Sequence, residues 1–208
     1  MSDIDARISR ACAGGRLHGE EVLVKVYGTV REMLTDRGYA LQSLCENSAG
    51  LLQHMRERRC VLQGVREGSG AQALVFFDLD DKVSVRFLRT LREAHADALL
   101  IVVSLEGPTA FAKKEVADPW GEAVQHFTYK ELVQNVSRHN LVPPHRVLDA
   151  AEAEEVRRRF SVKDEQLPLL LQNDPQRRYH GFRKGDVVES RRRAVGAEMV
   201  LYYRRVGV

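Results

Sequence analysis

The chain has 208 residues and a mass of 23.6 kDa, room for one large domain or two small ones. At 44% hydrophobic and 29% charged residues, with a mean hydropathy of −0.34, wholesale disorder and a fibrous repeat are excluded. The net charge of +3 excludes nothing by itself, but its distribution is uneven: from Pro143 to Val208, 14 Lys/Arg face 10 Asp/Glu. A basic C-terminal third points to an acidic partner surface or to nucleic acid.

The longest uninterrupted apolar run, Ala98-Leu-Leu-Ile-Val-Val103, is far short of the roughly 20 residues of a membrane helix. The opening MSDIDARISRACAGG alternates acids and bases without an apolar stretch, so no secretory signal is expected. Three cysteines, Cys12, Cys45 and Cys60, form no CxxC and have no histidine at ligand spacing, which predicts reduced thiols rather than a disulfide framework or a zinc site.

Glu21 to Arg37 carries Val22, Val26, Val30 and Met33 or Leu34 at helical spacing, with Gly38 placed to stop the helix in a left-handed residue. Gly28 inside it costs on the order of 1 kcal/mol relative to alanine. A second helix is predicted over Ser48 to Arg59. Ala73-Leu-Val-Phe-Phe77 and Val83-Ser-Val-Arg-Phe87 read as strands, the latter by period-two alternation, and Phe87 to Ala96 turns helical. Ala98 to Val103 reads as a strand covered on both faces. Lys114 to Val116 closes a short helix, Val124 to Thr128 is a strand, and Tyr129 to His139 a final helix. This alternation argues for an α/β layered domain over 1–142.

The adjacent Pro143-Pro144 cannot continue a helix and marks the boundary to a second domain, 143–208. There Asp149-Ala-Ala-Glu152 has capping-box spacing and opens a helix to about Phe160. Leu167 to Gln172 is a short strand. Asp174-Pro175 starts a helix that Gly181 ends, and Arg183-Lys-Gly-Asp186 is a turn. Val187 to Arg192 and Met199 to Arg205 close a hairpin across Ala194-Val-Gly-Ala197. The unit is a small α+β domain with a marginal core of its own.

Enzyme signatures are absent: no GxGxxG after a strand, no GxxxxGK[ST], no HExxH and no GxSxG. The seven histidines, His18, His54, His95, His126, His139, His145 and His180, are scattered singly. One nuclease reading competes. Asp80-Asp81-Lys82 fits a [DE]-x-K triplet that binds Mg²⁺ beside an upstream carboxylate. The available carboxylate, Glu67, precedes Gly68-Ser-Gly70 with no strand beneath it. Three arginine clusters, Arg157–Arg159, Arg177-Arg178 and Arg191–Arg193, have only Tyr179, Phe182, Tyr202 and Tyr203 as nearby aromatics, which favours a protein-contact or solvated face over direct nucleic-acid readout.

A set of ordered motifs carries a resemblance. Asn140-Leu-Val-Pro-Pro-His145, Asp164-Glu-Gln-Leu-Pro168, Asn173-Asp-Pro175, Arg178-Tyr-His-Gly181 and Arg183-Lys-Gly-Asp-Val-Val188 resemble the shared fifth subunit of eukaryotic RNA polymerases. In that domain they are also similar to the small subunit of the archaeal enzyme that corresponds to it. Upstream, Asp36-Arg-Gly-Tyr39 and the loop Gly107-Pro-Thr-Ala-Phe-Ala-Lys113 are similar to the same family, so the likeness runs from about Leu23 to Arg205. It implies a non-catalytic polymerase subunit without cofactor, metal or small-molecule ligand, located in the nucleus and making no membrane contact. The implied fold is an N-terminal three-layer jaw with a restriction-endonuclease-like layout, plus a small C-terminal assembly domain. The jaw would lie beside downstream duplex DNA, with Gly107, Thr109, Lys113 and Lys114 nearest it and no base specificity. The assembly domain would dock on the largest polymerase subunit through Arg178, Tyr179, Gly181, Arg191, Arg192 and Arg193, among the other subunits of the complex.

Two departures stand out. The family's threonine-proline-serine-alanine loop is Thr109-Ala110-Phe111-Ala112 here, and its arginine-proline-serine-glutamate-threonine-alanine-glycine run is Arg192-Arg-Ala-Val-Gly-Ala-Glu198, keeping only Arg192 and Ala197. They suggest a paralogue restricted to one polymerase class, such as polymerase I in the nucleolus.

Overall fold

The computed structural model describes residues 6–8, 19–45, 47–79, 82–117, 121–193 and 199–207. By internal contacts the chain divides into two units, Met1–Gln134 and Asn135–Val208. The division falls upstream of Pro143-Pro144, because Asn135 and Ser137 hydrogen-bond to side chains of the second unit, Tyr179 and Gln176.

In the first unit, helix α1 (Gly19–Asp36) buries Val22, Leu23, Val26, Val30, Met33 and Leu34 along one face. Gly38 stops it at φ +79°, donating its N–H to the Thr35 carbonyl. Strand β1 (Tyr39–Ser43) follows and runs antiparallel to β2 (Cys60–Arg66). Between them lies α2 (Ser48–Arg56), whose N-cap Asn47 accepts from the Gly50 N–H at 2.8 Å. Strand β3 (Gln72–Asp78) is antiparallel to β2, then β4 (Leu99–Ser104) and β5 (Val124–Thr128) continue parallel, giving a sheet ordered β1-β2-β3-β4-β5. The crossovers carry α3 (Val85–Ala94) and α4 (Ala110–Ala117), and α5 (Tyr129–Leu132) follows β5.

The alternation of side chains along β3 covers both faces of the sheet. Leu74 and Phe76 join Phe87, Leu88 and Leu91 of α3 in one cluster. Phe77, on the opposite face, stands 6.5 Å from the Tyr27 ring of α1 and 5.8 Å from that of Tyr129. A mixed sheet between helical layers is what the order of elements predicts, and it explains why Leu100 to Val103 is apolar without alternation.

Three local expectations are corrected. Val83–Phe87 is not a strand: Ser84 caps α3, its hydroxyl accepting from the Phe87 N–H at 3.3 Å, so the alternation there is coincidental. Tyr129 to His139 is not one helix. It stops after Leu132, and a separate 3-10 turn, Val136–Arg138, is capped by Asn135. The strand expected over Leu167 to Gln172 shortens to Leu169–Leu170. Strands β1 and β2, and a short strand at His145–Val147, were not anticipated.

The second unit holds β6 (His145–Val147), β7 (Leu169–Leu170), β8 (Val187–Arg193) and β9 (Met199–Val206), in a sheet ordered β6-β8-β9-β7. Strands β8 and β9 are antiparallel, as expected. The turn Ala194–Ala197 lies outside the described residues. Helix α6 (Ala150–Phe160) opens with the expected capping box, Asp149 and Glu152 exchanging both hydrogen bonds. Its Ala153 and Val156 pack with Leu148, Leu167 and Val187. Helix α7 (Pro175–His180) starts at Asp174, whose carboxylate accepts from Gln176 and Arg177, and ends at Gly181 with φ +68°. A second cluster joins Leu170, Phe182, Val188 and Val206.

Candidate functional site

In the first unit, the polar residues that end three parallel strands lie in register, Asp78 beside Ser104 beside Thr128. The carboxyl ends of such strands are where open α/β sheets bind ligands. Here these groups are spent on structure. Asp78 is 1% exposed and pairs with Arg58 at 3.7 Å, while the Arg58 guanidinium also lies over the Phe87 ring. The Ser104 hydroxyl donates to the Glu106 carbonyl, so it accepts from His126 Nε2 at 2.7 Å. Sequence reasoning passed over Asp78, Ser104 and His126. The available signal was a polar residue closing each of three apolar strands.

The nuclease constellation is not assembled among the described residues. Asp80 and Asp81 lie outside them, and Lys82 pairs with Glu106 at 3.9 Å. Glu67 is exposed before β3 whereas Lys82 follows it, so the length of the strand separates them. No three His, Cys, Asp or Glu side chains among the described residues gather to hold a metal ion.

The loop after β4 leaves from the same end of the sheet. Thr109 fixes it twice: its N–H donates to the Val83 carbonyl at 3.2 Å, and its hydroxyl accepts from the Ala112 N–H at 3.3 Å, capping α4. Lys113 and Lys114 are exposed along α4, as is Phe111 at 73%. A Cβ on Gly107 would meet nothing within 4 Å. Thr109 is therefore an architectural residue, and the two lysines with Phe111 are the outward-facing ones.

In the second unit, the motif residues separate into two groups. Tyr179 is buried, its hydroxyl accepting from Asn135 Nδ2 at 3.1 Å and its ring meeting His180 edge-on. Gly181 is the left-handed stop of α7, and Arg178 beside it is half-buried. Arg191, Arg192 and Arg193 are all exposed at the far end of β8. Arg191 faces the buried Glu189 at 3.7 Å, and the Arg192 guanidinium lies over the Tyr202 ring at 5.2 Å. Opposite them, Met199, Val200 and Leu201 of β9 are exposed as well, as is Tyr202 opposite Ser190. Neighbouring strand residues point to opposite faces, so both faces of this arm are bare. It also outruns its lateral partners. β6 pairs only with Val188 to Ser190 and β7 only with Arg205 and Val206.

Near its base, burial pushes the His145 imidazole below its ordinary value, with Arg192 and Arg204 adding to the effect against the Pro143 carbonyl and Asp174. His145 Nδ1 is buried and has no hydrogen-bond partner among the described residues. The bond from Arg146 holds the Glu152 carboxyl below its usual range and raises the guanidinium in turn.

Residues 134–206 match the family model described as RNA polymerase Rpb5, C-terminal domain. The chain is 31% identical over 201 residues to the DNA-directed RNA polymerases I, II, and III subunit RPABC1 of Caenorhabditis briggsae, covering 88% of this chain and 95% of that protein. The chain belongs to the RNA polymerase subunit 5 family. It is also 30% identical to the corresponding subunit of Dictyostelium discoideum over 189 residues, with 88% and 95% covered. The Arabidopsis thaliana DNA-directed RNA polymerases IV and V subunit 5B is 34% identical over 178 residues, with 77% of this chain and 78% of that protein covered. The family is one of non-catalytic subunits.

Proposed function

We propose that this chain is a structural subunit of a nuclear DNA-directed RNA polymerase. Its second unit docks on the largest subunit and its first unit serves as a jaw, restriction-endonuclease-like in layout, beside downstream duplex DNA. The observation that carries docking is the bare two-stranded arm of Arg191–Arg193 and Met199–Tyr202. An isolated two-stranded ribbon is marginal in water. A partner offering apolar cover for Met199 to Tyr202 and carboxylates for the arginines completes it. For the jaw, Lys113 and Lys114 with the exposed Phe111 suit contact with a phosphate backbone without reading bases.

A subunit serving one polymerase class is the second reading. It is favoured by the substitutions at Thr109–Ala112 and Arg192–Glu198, in a family that includes a relative named for polymerases IV and V. Purification of the tagged full-length chain at high salt tests both. Recovery of a stoichiometric largest subunit is expected, and its identity assigns polymerase I, with a nucleolar location, or several classes. Recovery of the chain alone would overturn the proposal.

A further inference from the structure

The ladder between β1 and β2 pairs Gln42 with Gln63 and Ser43 with Leu62. One rung on, the Leu44 N–H donates to the Val61 carbonyl at 3.2 Å. Cys45 follows where the chain has left the ladder, and Cys60 opens β2. Both thiols turn to this strand end: Cys45 Sγ reaches the Val61 carbonyl at 3.8 Å and Cys60 Sγ the Leu62 carbonyl at 3.2 Å. Neither is in a disulfide. The two thiols are near enough to act on one another electrostatically, and a disulfide takes Cβ atoms about 3.5–4.5 Å apart, so closure requires the bend at Leu44 and Cys45 to move toward Cys60. The chain bends after β1, with the Cys45 N–H on the Ser43 hydroxyl, which leaves the strand end room to adjust.

We propose that Cys45 and Cys60 are a dithiol at one strand end that closes reversibly to a disulfide under a peroxide oxidant, clasping the loop that holds α2 against the sheet. Cys45 lies beyond the edge strand and meets the oxidant first. Its thiolate attacks one oxygen of hydrogen peroxide, giving a sulfenic acid and one water. The Cys60 thiolate then attacks that sulfur and the hydroxyl leaves as a second water. Two thiols and one peroxide become one S–S bond and two waters, two electrons passing from sulfur to oxygen. A thiol reductant reverses the step by exchange. Burial raises both thiols, and the neighbouring Cys60 raises Cys45 further, so little thiolate is present at neutral pH. The pair therefore stays reduced in ordinary nuclear conditions and closes only under sustained oxidant.

The test treats the reduced full-length protein with hydrogen peroxide, then alkylates it and maps its peptides without reduction. The expected product is an intramolecular link between the Cys45 and Cys60 peptides, formed equally in Cys12→Ser and reversed by dithiothreitol. In Cys60→Ser, where no partner thiol can resolve the sulfenic acid, dimedone should label Cys45 in preference to Cys12. The oxidised wild type should melt several degrees above its reduced form, because the link constrains the unfolded chain, and Cys45→Ser should lack that shift. Recovery of both cysteines alkylated after oxidation, or a dominant link through Cys12, would overturn the proposal.

Discussion

Asn135 donates through Nδ2 to the Tyr179 hydroxyl at 3.1 Å, tying the first residue of the second unit to helix α7. The next turn repeats the tie, with the Ser137 hydroxyl donating to Gln176 Oε1 at 3.1 Å. The segment ahead of the two prolines is thus part of the C-terminal fold, and a division at the prolines would cut both bonds. Tyr179→Phe should lower stability by about 1 kcal/mol, since it removes the bond from Asn135, and Tyr179→Ala by about 3 kcal/mol through the added cavity. Urea unfolding of the full-length chain reads both. A Tyr179→Ala protein of unchanged stability that falls off the polymerase would instead make Tyr179 a docking residue.

Two glycines should respond to alanine with opposite signs. Gly28 lies within α1 and a Cβ there meets nothing within 4 Å, so Gly28→Ala should stabilise by about 0.5–1 kcal/mol. Gly181 sits at φ +68°, where a side chain costs about 1–2 kcal/mol, so Gly181→Ala should lower the melting temperature. Equal effects from the two would refute the assignment of Gly181 as the obligate stop of α7.

What could be read from the sequence was what neighbouring residues decide. The capping box at Asp149 and the Asp174-Pro175 start with its Gly181 stop need only side chains a few positions away, and both stand as expected. Residues 129–139 defeated the same logic because the helix is ended by tertiary bonds. Asn135 and Ser137 serve Tyr179 and Gln176, some forty residues on, and no local pattern announces that. β1 and β2 were missed because each mixes exposed and buried residues irregularly, with a glycine, Gly64, inside β2. The strand-end cluster of Asp78, Ser104 and His126 depends on register between strands, which only the assembled sheet fixes.

His145 gives the second unit an acid sensitivity of definite sign. Its folded-state value lies below the ordinary one because burial disfavours the cation. Above the ordinary histidine value, both folded and unfolded chains hold it neutral. As pH falls below that value the unfolded chain takes up the proton first, so stability declines until the folded form titrates too. His145→Gln should flatten the fall in melting temperature between pH 7 and the acid side of the ordinary histidine value, about 6.5. An unchanged slope would show that His145 is not the group responsible.

The loop after β4 predicts a salt effect. If Lys113 and Lys114 each neutralise a phosphate of downstream DNA, Lys113→Ala with Lys114→Ala should lower the slope of log affinity against log salt by about two for the assembled polymerase. Thr109 is left intact because it caps α4. A slope identical to wild type would mean that the lysines touch no DNA.

The arm of β8 and β9 supplies the charge test of docking. Arg191 is unsuitable, because it faces the buried Glu189, and reversing it would set an exposed carboxylate against that buried one. Arg192 and Arg193 are exposed beyond the last rung that β6 supports. Reversing them leaves the packed clusters around Leu148 and Leu170 untouched. Arg192→Glu with Arg193→Glu should therefore melt within a few degrees of wild type yet dissociate from the purified polymerase at lower salt, since like charges across an interface repel. The apolar half of the arm is read separately by Leu201→Ser, which should weaken retention with little dependence on salt. If the doubly reversed protein stays bound through the same salt range as wild type while Leu201→Ser is released, apolar cover alone holds the arm and its arginines face solvent.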